Sequence, residues 1–303
     1  MQIYLPIAEI SVAAETVFML GAMVGVLSGV FGVGGGFLTT PFLIFLGIPP
    51  AVAVGTQGSQ LVASGVSGTM GHFKRGNVDL KIGGVMLIGG FLGSFIGILI
   101  FRLLQHIGQI DFAVSFLYVI LLGAIGTMML SETIFSSFKK KTVRSQFNAQ
   151  RVSPFIARLP YKMRFPRSKL YISALVPGSI GFVGGILASI LGIGGGFLIV
   201  PAMIYILGMS TILAAGTSLF QMIFTTAFAT MMHATVNNTV DIMLAVILII
   251  GGVIGTQFGL AFAKYIKPLH ARIILAILVL AVSVRLALQL ILEPEELYST
   301  VIM

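Results

Sequence analysis

The sequence predicts an all-α fold. It reads as a polytopic integral membrane helical bundle of two inverted-topology repeats, with eight full transmembrane helices plus two short or re-entrant segments, ten spans if the short ones cross. Three observations predict it: a chain almost without charge, apolar stretches of bilayer length, and a set of residues that recurs about 160 positions later.

Of the 303 residues, 57% are hydrophobic and 9% charged. A soluble domain carries about 25% charged residues, and a chain this poor in charge cannot cover a water-facing surface. The net charge of +9 is concentrated: ten of the 18 Lys and Arg residues lie between Lys139 and Lys169. That run lacks the interleaved aromatic and glycine pattern of an RNA-binding segment. It reads as an orientation signal beside anionic lipid, with no nucleic-acid partner. The absence of cysteine removes disulfides, thiolate chemistry and Cys-based metal sites. Glu9 and Glu15, with no basic residue near them, predict a mature first membrane helix and no cleavable leader.

A helix needs about 20 apolar residues to cross a hydrocarbon core of about 30 Å. Long candidates run near 11–31, 51–71, 81–104, 112–131, 171–192, 212–232, 241–263 and 271–292. Two more, near 37–48 and 197–208, are too short to cross comfortably and are tilted helices or half-helices. Apolar spans must be helical because lipid offers the backbone no hydrogen-bond partner. The domain organisation expected is a first repeat over 1–131, a basic cytoplasmic linker over 132–170, a second, inverted repeat over 171–292 and an external tail over 293–303. Phe147, Phe155, Tyr161 and Phe165 would let part of the linker lie on the membrane.

The repeat is legible residue by residue. The run from Gly32 through Gly34, Gly35, Gly36 and Phe37 to Leu38 matches the run from Gly192 through Gly194, Gly195, Gly196 and Phe197 to Leu198, and Pro41 matches Pro201. Gly55-Thr56 matches Gly216-Thr217, Gln60 matches Gln221, His72 matches His233, and Asp79 matches Asp241. Gly89-Gly90, Gly93 and Gly97 recur as Gly251-Gly252, Gly255 and Gly259. Basic residues in short flanks set orientation. The central loop, the 72–81 loop (Lys74, Arg75, Lys81) and the 264–272 loop (Lys264, Lys267, Arg272) together hold 16 of the 18. Placing all three in the cytoplasm puts both termini outside and the two copies in opposite orientations. An inverted repeat is a common basis for alternating access in secondary transporters.

Candidate chemistry follows the repeat. Three adjacent glycines cost a helix about 1 kcal/mol each relative to alanine, so Gly34–Gly35–Gly36 and Gly194–Gly195–Gly196 break the chain before a short helix. Free N–H groups there carry partial positive charge and suit an anion; a tight turn or close packing is the alternative. Without a preceding strand or a following Lys-Ser/Thr, the glycines are no phosphate loop. A polar stripe, Thr56, Gln57, Gln60 and Ser64 in one copy and Thr217, Ser218, Gln221 and Thr225 in the other, offers donors to an oxyanion or bonds between helices. His72 and His233 are candidates for proton coupling, or are merely solvated at helix ends. Asp79 and Asp241 suit the N-caps of the helices that follow. No His and carboxylate cluster has metal-ligand spacing, no cofactor motif is present, and no nucleophile–base–acid set suggests an enzyme.

With Ala53-Val54-Gly55-Thr56 and the second copy through Gly216-Thr217-Ser218, the doubled glycine motif resembles the TauE/SafE family of sulfite and sulfonate transporters, also called the toluene-sulfonate uptake permease family. The resemblance covers about residues 16 to 290. It implies a secondary transporter in the bacterial cytoplasmic membrane for sulfite or an organosulfonate such as sulfoacetate, isethionate or taurine, in either direction. An anion channel and a non-transporting accessory subunit are the competing readings; the long basic central loop is not explained by the resemblance.

Single cysteines at Asn77 and Asn238, tested with a membrane-impermeant thiol reagent in intact cells and inverted vesicles, are expected to react from opposite sides. Labelling of both from one side would remove the inverted topology.

Overall fold

The structure is a computed structural model and describes residues 2–31, 34–138, 160–262 and 268–292. The basic stretch 139–158 with Phe147 and Phe155, the motif residues Gly32 and Val33, Lys264, Lys267 and the tail 293–303 lie outside the described residues.

Ten α-helices are present among the described residues. They are α1 (Ala14–Phe31), α2 (Gly36–Phe45), α3 (Pro50–Lys74), α4 (Leu80–His106), α5 (Ile110–Phe138), α6 (Leu175–Leu191), α7 (Gly196–Tyr205), α8 (Thr211–Met232), α9 (Ile242–Phe262) and α10 (Pro268–Ile291). A π-helical turn, His233–Asn237, continues α8. Each set of five helices is preceded by an antiparallel hairpin: β1 (Gln2–Leu5) with β2 (Ile10–Ala13), and β3 (Lys162–Phe165) with β4 (Leu170–Ser173). The hairpins lie 160 positions apart, from Gln2 to Lys162, and each turn ends on a non-glycine residue with positive φ, Glu9 at 55° and Lys169 at 53°. Leu5, Phe165, Leu170 and Ile172 are buried and anchor the hairpins to the bundle.

These hairpins correct two expected boundaries. Residues 11–13 and 171–173 were expected to start membrane helices and are strands instead. Alternating Ile, Val, Tyr and Ser suits a pleated ribbon as well as a helix start, and the Pro6 and Pro166 turns fold the chain back. Helices α1 and α6 are therefore 18 and 17 residues long. Among the described residues, five helices are long and apolar enough to cross a membrane: α4, α5, α8 with its π turn, α9 and α10. Helix α3 has the length, 25 residues, but carries the polar stripe. Helices α2 and α7, ten residues each, reach only about 15 Å at 1.5 Å per residue.

The two sets of helices are interlocked. Helix α1 packs along α9, and α4 packs along α6, so each outer helix of one set lies against the other set. Both seams are glycine seams. A Cβ on Gly25 would lie 2.4 Å from the Gly252 carbonyl oxygen, and one on Gly255 would lie 2.0 Å from that of Ala22. In the other seam a Cβ on Gly93 would lie 2.0 Å from the Phe182 carbonyl oxygen, and one on Gly185 2.2 Å from that of Gly90. In lipid, helix association depends on close van der Waals approach, which small residues permit.

Directions follow from which residues meet. Gly21, Gly25 and Gly29 meet Leu248, Gly252 and Thr256 in order, so α1 and α9 are parallel. Gly58 faces Thr230 while Gly68 faces Leu219, so α3 and α8 are antiparallel. Helices α5 and α10 are also antiparallel: Ser283 Oγ donates to the Val119 carbonyl at 3.0 Å, and Gly126 faces Leu280. Helices α3 and α8, and α5 and α10, which hold the same places in the two sets, are thus antiparallel neighbours.

Gly93→Ala and Gly255→Ala are expected to lower stability by about 1–3 kcal/mol or more, because backbone must move to admit the methyl group. Gly84→Ala meets nothing within 4 Å and should match or exceed the parent, by up to about 1 kcal/mol. Thermal unfolding in detergent checks both; equal losses at all three sites would refute the seam.

Candidate functional site

The centre of the bundle is where the two glycine turns meet. Gly34 (φ 74°) and Gly194 (φ 71°) occupy the left-handed region that glycine adopts without strain. A Cβ on either would strike the same group: Met222 Sδ lies 2.7 Å from the position on Gly34 and 2.9 Å from that on Gly194, and Leu61 lies beside both. Leu61 and Met222 are buried neighbours in a small apolar cluster of their own. Just past the turns, the rings of Phe37 and Phe197 stack with centroids 4.0 Å apart and an interplanar angle of 11°. The two turns, from the two halves of the chain, therefore share one plug and one aromatic stack.

Helices α2 and α7 begin at this point. Gly35, Gly36, Gly195 and Gly196 are buried. No side chain caps either helix start. The first N–H groups of a helix have no acceptor in the preceding turn of that helix, so the two N-termini bring backbone donors and positive partial charge inside the protein.

Amide side chains line these starts. Gln57, fully buried, donates from Nε2 to the Gly36 carbonyl at 2.6 Å and to the Gly192 carbonyl at 2.8 Å. Its Oε1 accepts from the Thr40 hydroxyl. This one side chain ties α2 to the glycine turn of the other set. Gln60 accepts from Thr39 Oγ1 at 3.3 Å and donates to the Gly21 carbonyl at 3.4 Å. Tyr118 OH donates to the Leu191 carbonyl. Ser218, at the position matching Gln57, bonds only its own helix through the Ala215 carbonyl. Gln221 donates to Thr225 Oγ1 at 3.3 Å, and its Oε1 has no partner.

The matched threonines do something else. Thr56 Oγ1 accepts from the Asp241 N–H at 2.9 Å, and Thr217 Oγ1 accepts from the Asp79 N–H at 3.0 Å. Both hydroxyls are fully buried and face away from solvent. Gly55 and Gly216 explain the rest of each Gly-Thr pair, since a Cβ on either would strike the backbone carbonyl of Thr239 or Asn77. Each aspartate completes a three-way joint. Asp79 Oδ1 accepts from the Lys81 and Ile82 N–H groups at the start of α4, and its Oδ2 accepts from Ser168 N–H at 3.1 Å and Ser168 Oγ at 2.5 Å. Asp241 Oδ1 caps α9 through Met243 and Leu244, and its Oδ2 accepts from the Ile7 N–H at 3.0 Å. The carboxylates are 2% and 0% exposed. Each grips the hairpin turn of the opposite set. Capping was legible in the sequence; the grip on the hairpin was not, because Ile7 and Ser168 are remote in the chain.

The two histidines are matched in sequence but not in surroundings. His233 is buried, with Nε2 2.8 Å from the Ser189 carbonyl and Nδ1 3.0 Å from Asn237 Nδ2. A carbonyl only accepts, so Nε2 carries the proton and Nδ1 accepts from the amide: a neutral ring with both nitrogens engaged. It packs edge-on against Phe101 at 4.6 Å. His72 lies half-buried near the end of α3, its Nδ1 without a partner, and its Cβ faces Gly216. Thus the structure gathers Gly34, Gly35, Gly36, Gln57, Gly194, Gly195 and Gly196 at one point. Gln60 and Gln221 lie on the same two helices as the plug, Thr56 and Thr217 meet the starts of α9 and α4, and His72 and His233 sit at helix ends. Thr39, Thr40 and Tyr118, missed from sequence, complete its first half; hydroxyls inside so apolar a segment were the available signal.

Thr56→Val and Thr217→Val are each expected to cost about 1–3 kcal/mol, because each strands a buried N–H. Thr127→Val, exposed and bonded only to its own helix, should stay within about 0.5 kcal/mol. Chemical or thermal denaturation in detergent measures the difference, and three equal values would dissolve the joint.

The family profile described as "Sulfite exporter TauE/SafE" matches residues 17–286. The chain is 28% identical over 223 residues to the probable membrane transporter protein YunE of Bacillus subtilis, covering 71% of this chain and 76% of that one. It is 28% identical over 250 residues to a probable membrane transporter protein of Xylella fastidiosa, covering 80% and 84%. It is 27% identical over 275 residues to the probable membrane transporter protein YjnA of Bacillus subtilis, covering 89% and 98%. No solved structure matches the chain significantly. An all-helical membrane bundle whose glycine turns and flanking helices fall within the matched residues is a member of the TauE/SafE family, and a multi-pass membrane transporter protein.

Proposed function

We propose that this chain is a secondary transporter that moves a small sulfur-containing oxyanion, sulfite or an organosulfonate such as sulfoacetate, isethionate or taurine, across the bacterial cytoplasmic membrane by alternating access. One observation carries the reading: two buried, uncapped helix N-termini, at Gly35–Gly36 and Gly195–Gly196, converge on a shared Leu61–Met222 plug. Buried helix starts without a side-chain cap suit a ligand, and their partial positive charge favours an anion. Backbone N–H groups and neutral amides can bind an oxyanion and release it, since they place no fixed cation in the membrane.

Within this reading the substrate oxygens meet the N–H groups after the glycine turns, with Gln57, Gln60, Ser218 and Gln221 around them. Leu61 and Met222 close the passage between the turns. The antiparallel packing of α3 with α8 and α5 with α10 supports two copies inverted about an axis in the membrane plane. The basic central loop then faces the cytoplasm and both termini face outward. Motion of one copy against the other exposes the centre alternately. A proton is the coupling ion; of the two histidines, His72 supports that role better, because its Nδ1 is unspent while both nitrogens of His233 are engaged.

The test is a thermal-shift and liposome-uptake screen of purified protein with sulfite, thiosulfate, sulfate, taurine, isethionate, sulfoacetate and sulfolactate beside a carboxylate control. A true substrate at 100 times its Kd should stabilise the protein by about 2.7 kcal/mol. Binding of the carboxylate with no response to any sulfur anion would overturn the substrate class.

A further inference from the structure

The two halves of the centre are matched in sequence but not in their hydrogen bonds. Gln60 has both ends of its amide engaged, Oε1 by Thr39 and Nε2 by the Gly21 carbonyl. Thr39 is replaced at the matching position, 160 residues on, by Ile199. Gln221, the partner of Gln60, therefore lacks the hydroxyl that would have satisfied it, and its Oε1 is unpartnered at 1% exposure.

The orientation of that amide follows from its neighbour. Thr225 has one hydroxyl proton, and two backbone carbonyls lie within reach of it, Gln221 at 3.0 Å and Met222 at 3.2 Å. With the proton spent there, Thr225 Oγ1 can only accept. The end of the amide that faces it, at 3.3 Å, must be the NH₂ group. The free end is the carbonyl oxygen, an acceptor awaiting a donor. The amide, on the helix that carries Met222 of the plug, packs against Gly90 of α4. A buried acceptor without a partner is destabilising, and in a native protein it calls for an explanation, a bound group being one.

We propose that Gln221 selects the cargo by accepting a hydrogen bond from an N–H or O–H on it, so that the site takes anions that carry a donor, hydroxy- or ammonio-substituted, ahead of anions of the same shape without one. The inference rests on the functional reading above for the anionic end of the cargo. Gln57 and Gln60 build the site, and Gln221 discriminates within it.

The experiment compares uptake into liposomes of three isosteric sulfonates, isethionate, taurine and propane-1-sulfonate, and of their carboxylate counterparts, 3-hydroxypropionate, β-alanine and butyrate. The proteins are the full chain, Gln221→Leu and Gln60→Leu, with thermal midpoints recorded for each. The parent is expected to favour donor-bearing sulfonates over propane-1-sulfonate by about tenfold in kcat/KM, the worth of one hydrogen bond. Gln221→Leu should abolish that preference while keeping or raising the thermal midpoint. Gln60→Leu should lower the midpoint and keep the preference. A parent without preference, or a preference that survives Gln221→Leu, overturns the inference and leaves the sulfur reading intact. A Gln221→Leu protein that loses stability as Gln60→Leu does, and slows every anion equally, overturns it too. If only the carboxylates are carried, with a Gln221-dependent preference, the inference stands and the sulfur reading falls. If the parent carries neither series, both fall.

Discussion

Close approach of helix backbones along two glycine seams is the constraint on which the rest depends. Where α1 meets α9 and α4 meets α6, a single methyl group would sit 2.0–2.4 Å from a carbonyl oxygen of the facing helix. Lipid supplies no hydrophobic force between helices, so contact must come from fit. Because each seam joins helices from different halves of the chain, the halves cannot be packed separately. The interlock encloses a volume in which broken helices can be buried, and non-helical backbone is tolerated at membrane depth only inside protein or beside a cavity.

The glycine turns exploit that tolerance. Their left-handed residues reverse the chain between α1 and α2 and between α6 and α7, and they leave two helix starts without caps. Gln57 stabilises the first half by bonding both Gly36 and Gly192, so the turn of one set is held by a side chain of the other. The Asp79–Thr217 and Asp241–Thr56 joints repeat the theme at the helix ends. In each, one buried carboxylate satisfies the start of its own helix and a hairpin turn of the other set. A charge in such a place is tolerated because every oxygen finds N–H or O–H donors. Exchange across the halves at seam, turn and joint is a suitable basis for the rocking motion proposed here, since each contact couples one copy to the other.

Recurrence in the sequence showed where to look but not what each residue does there. Gly55-Thr56 and Gly216-Thr217 stood out as a pair, and their spacing on a polar helix face suggested substrate contact. Their hydroxyl oxygens accept from aspartate N–H groups, a fact decided by which helix start lies opposite. The hairpins escaped sequence reasoning because four-residue strands of mixed Ile, Val, Tyr and Ser carry no period that distinguishes them from the first turn of an apolar helix. The difference between Gln60 and Gln221 was equally hidden. It depends on Thr39 in α2 against Ile199 in α7, residues about twenty positions away on another helix.

By itself the sequence determined the class of solvent, the helical state, the places where helices break and the existence of two related halves. These follow from charge, apolar length, glycine runs and recurrence, which are properties of the chain rather than of its contacts. Only the tertiary structure decided which half each helix packs against, which polar groups are spent on the scaffold, and which remain free at the centre. The physical reason is that a buried hydroxyl or amide is defined by its partner. In this bundle most of the decisive partners lie in the other half of the chain, far away in sequence.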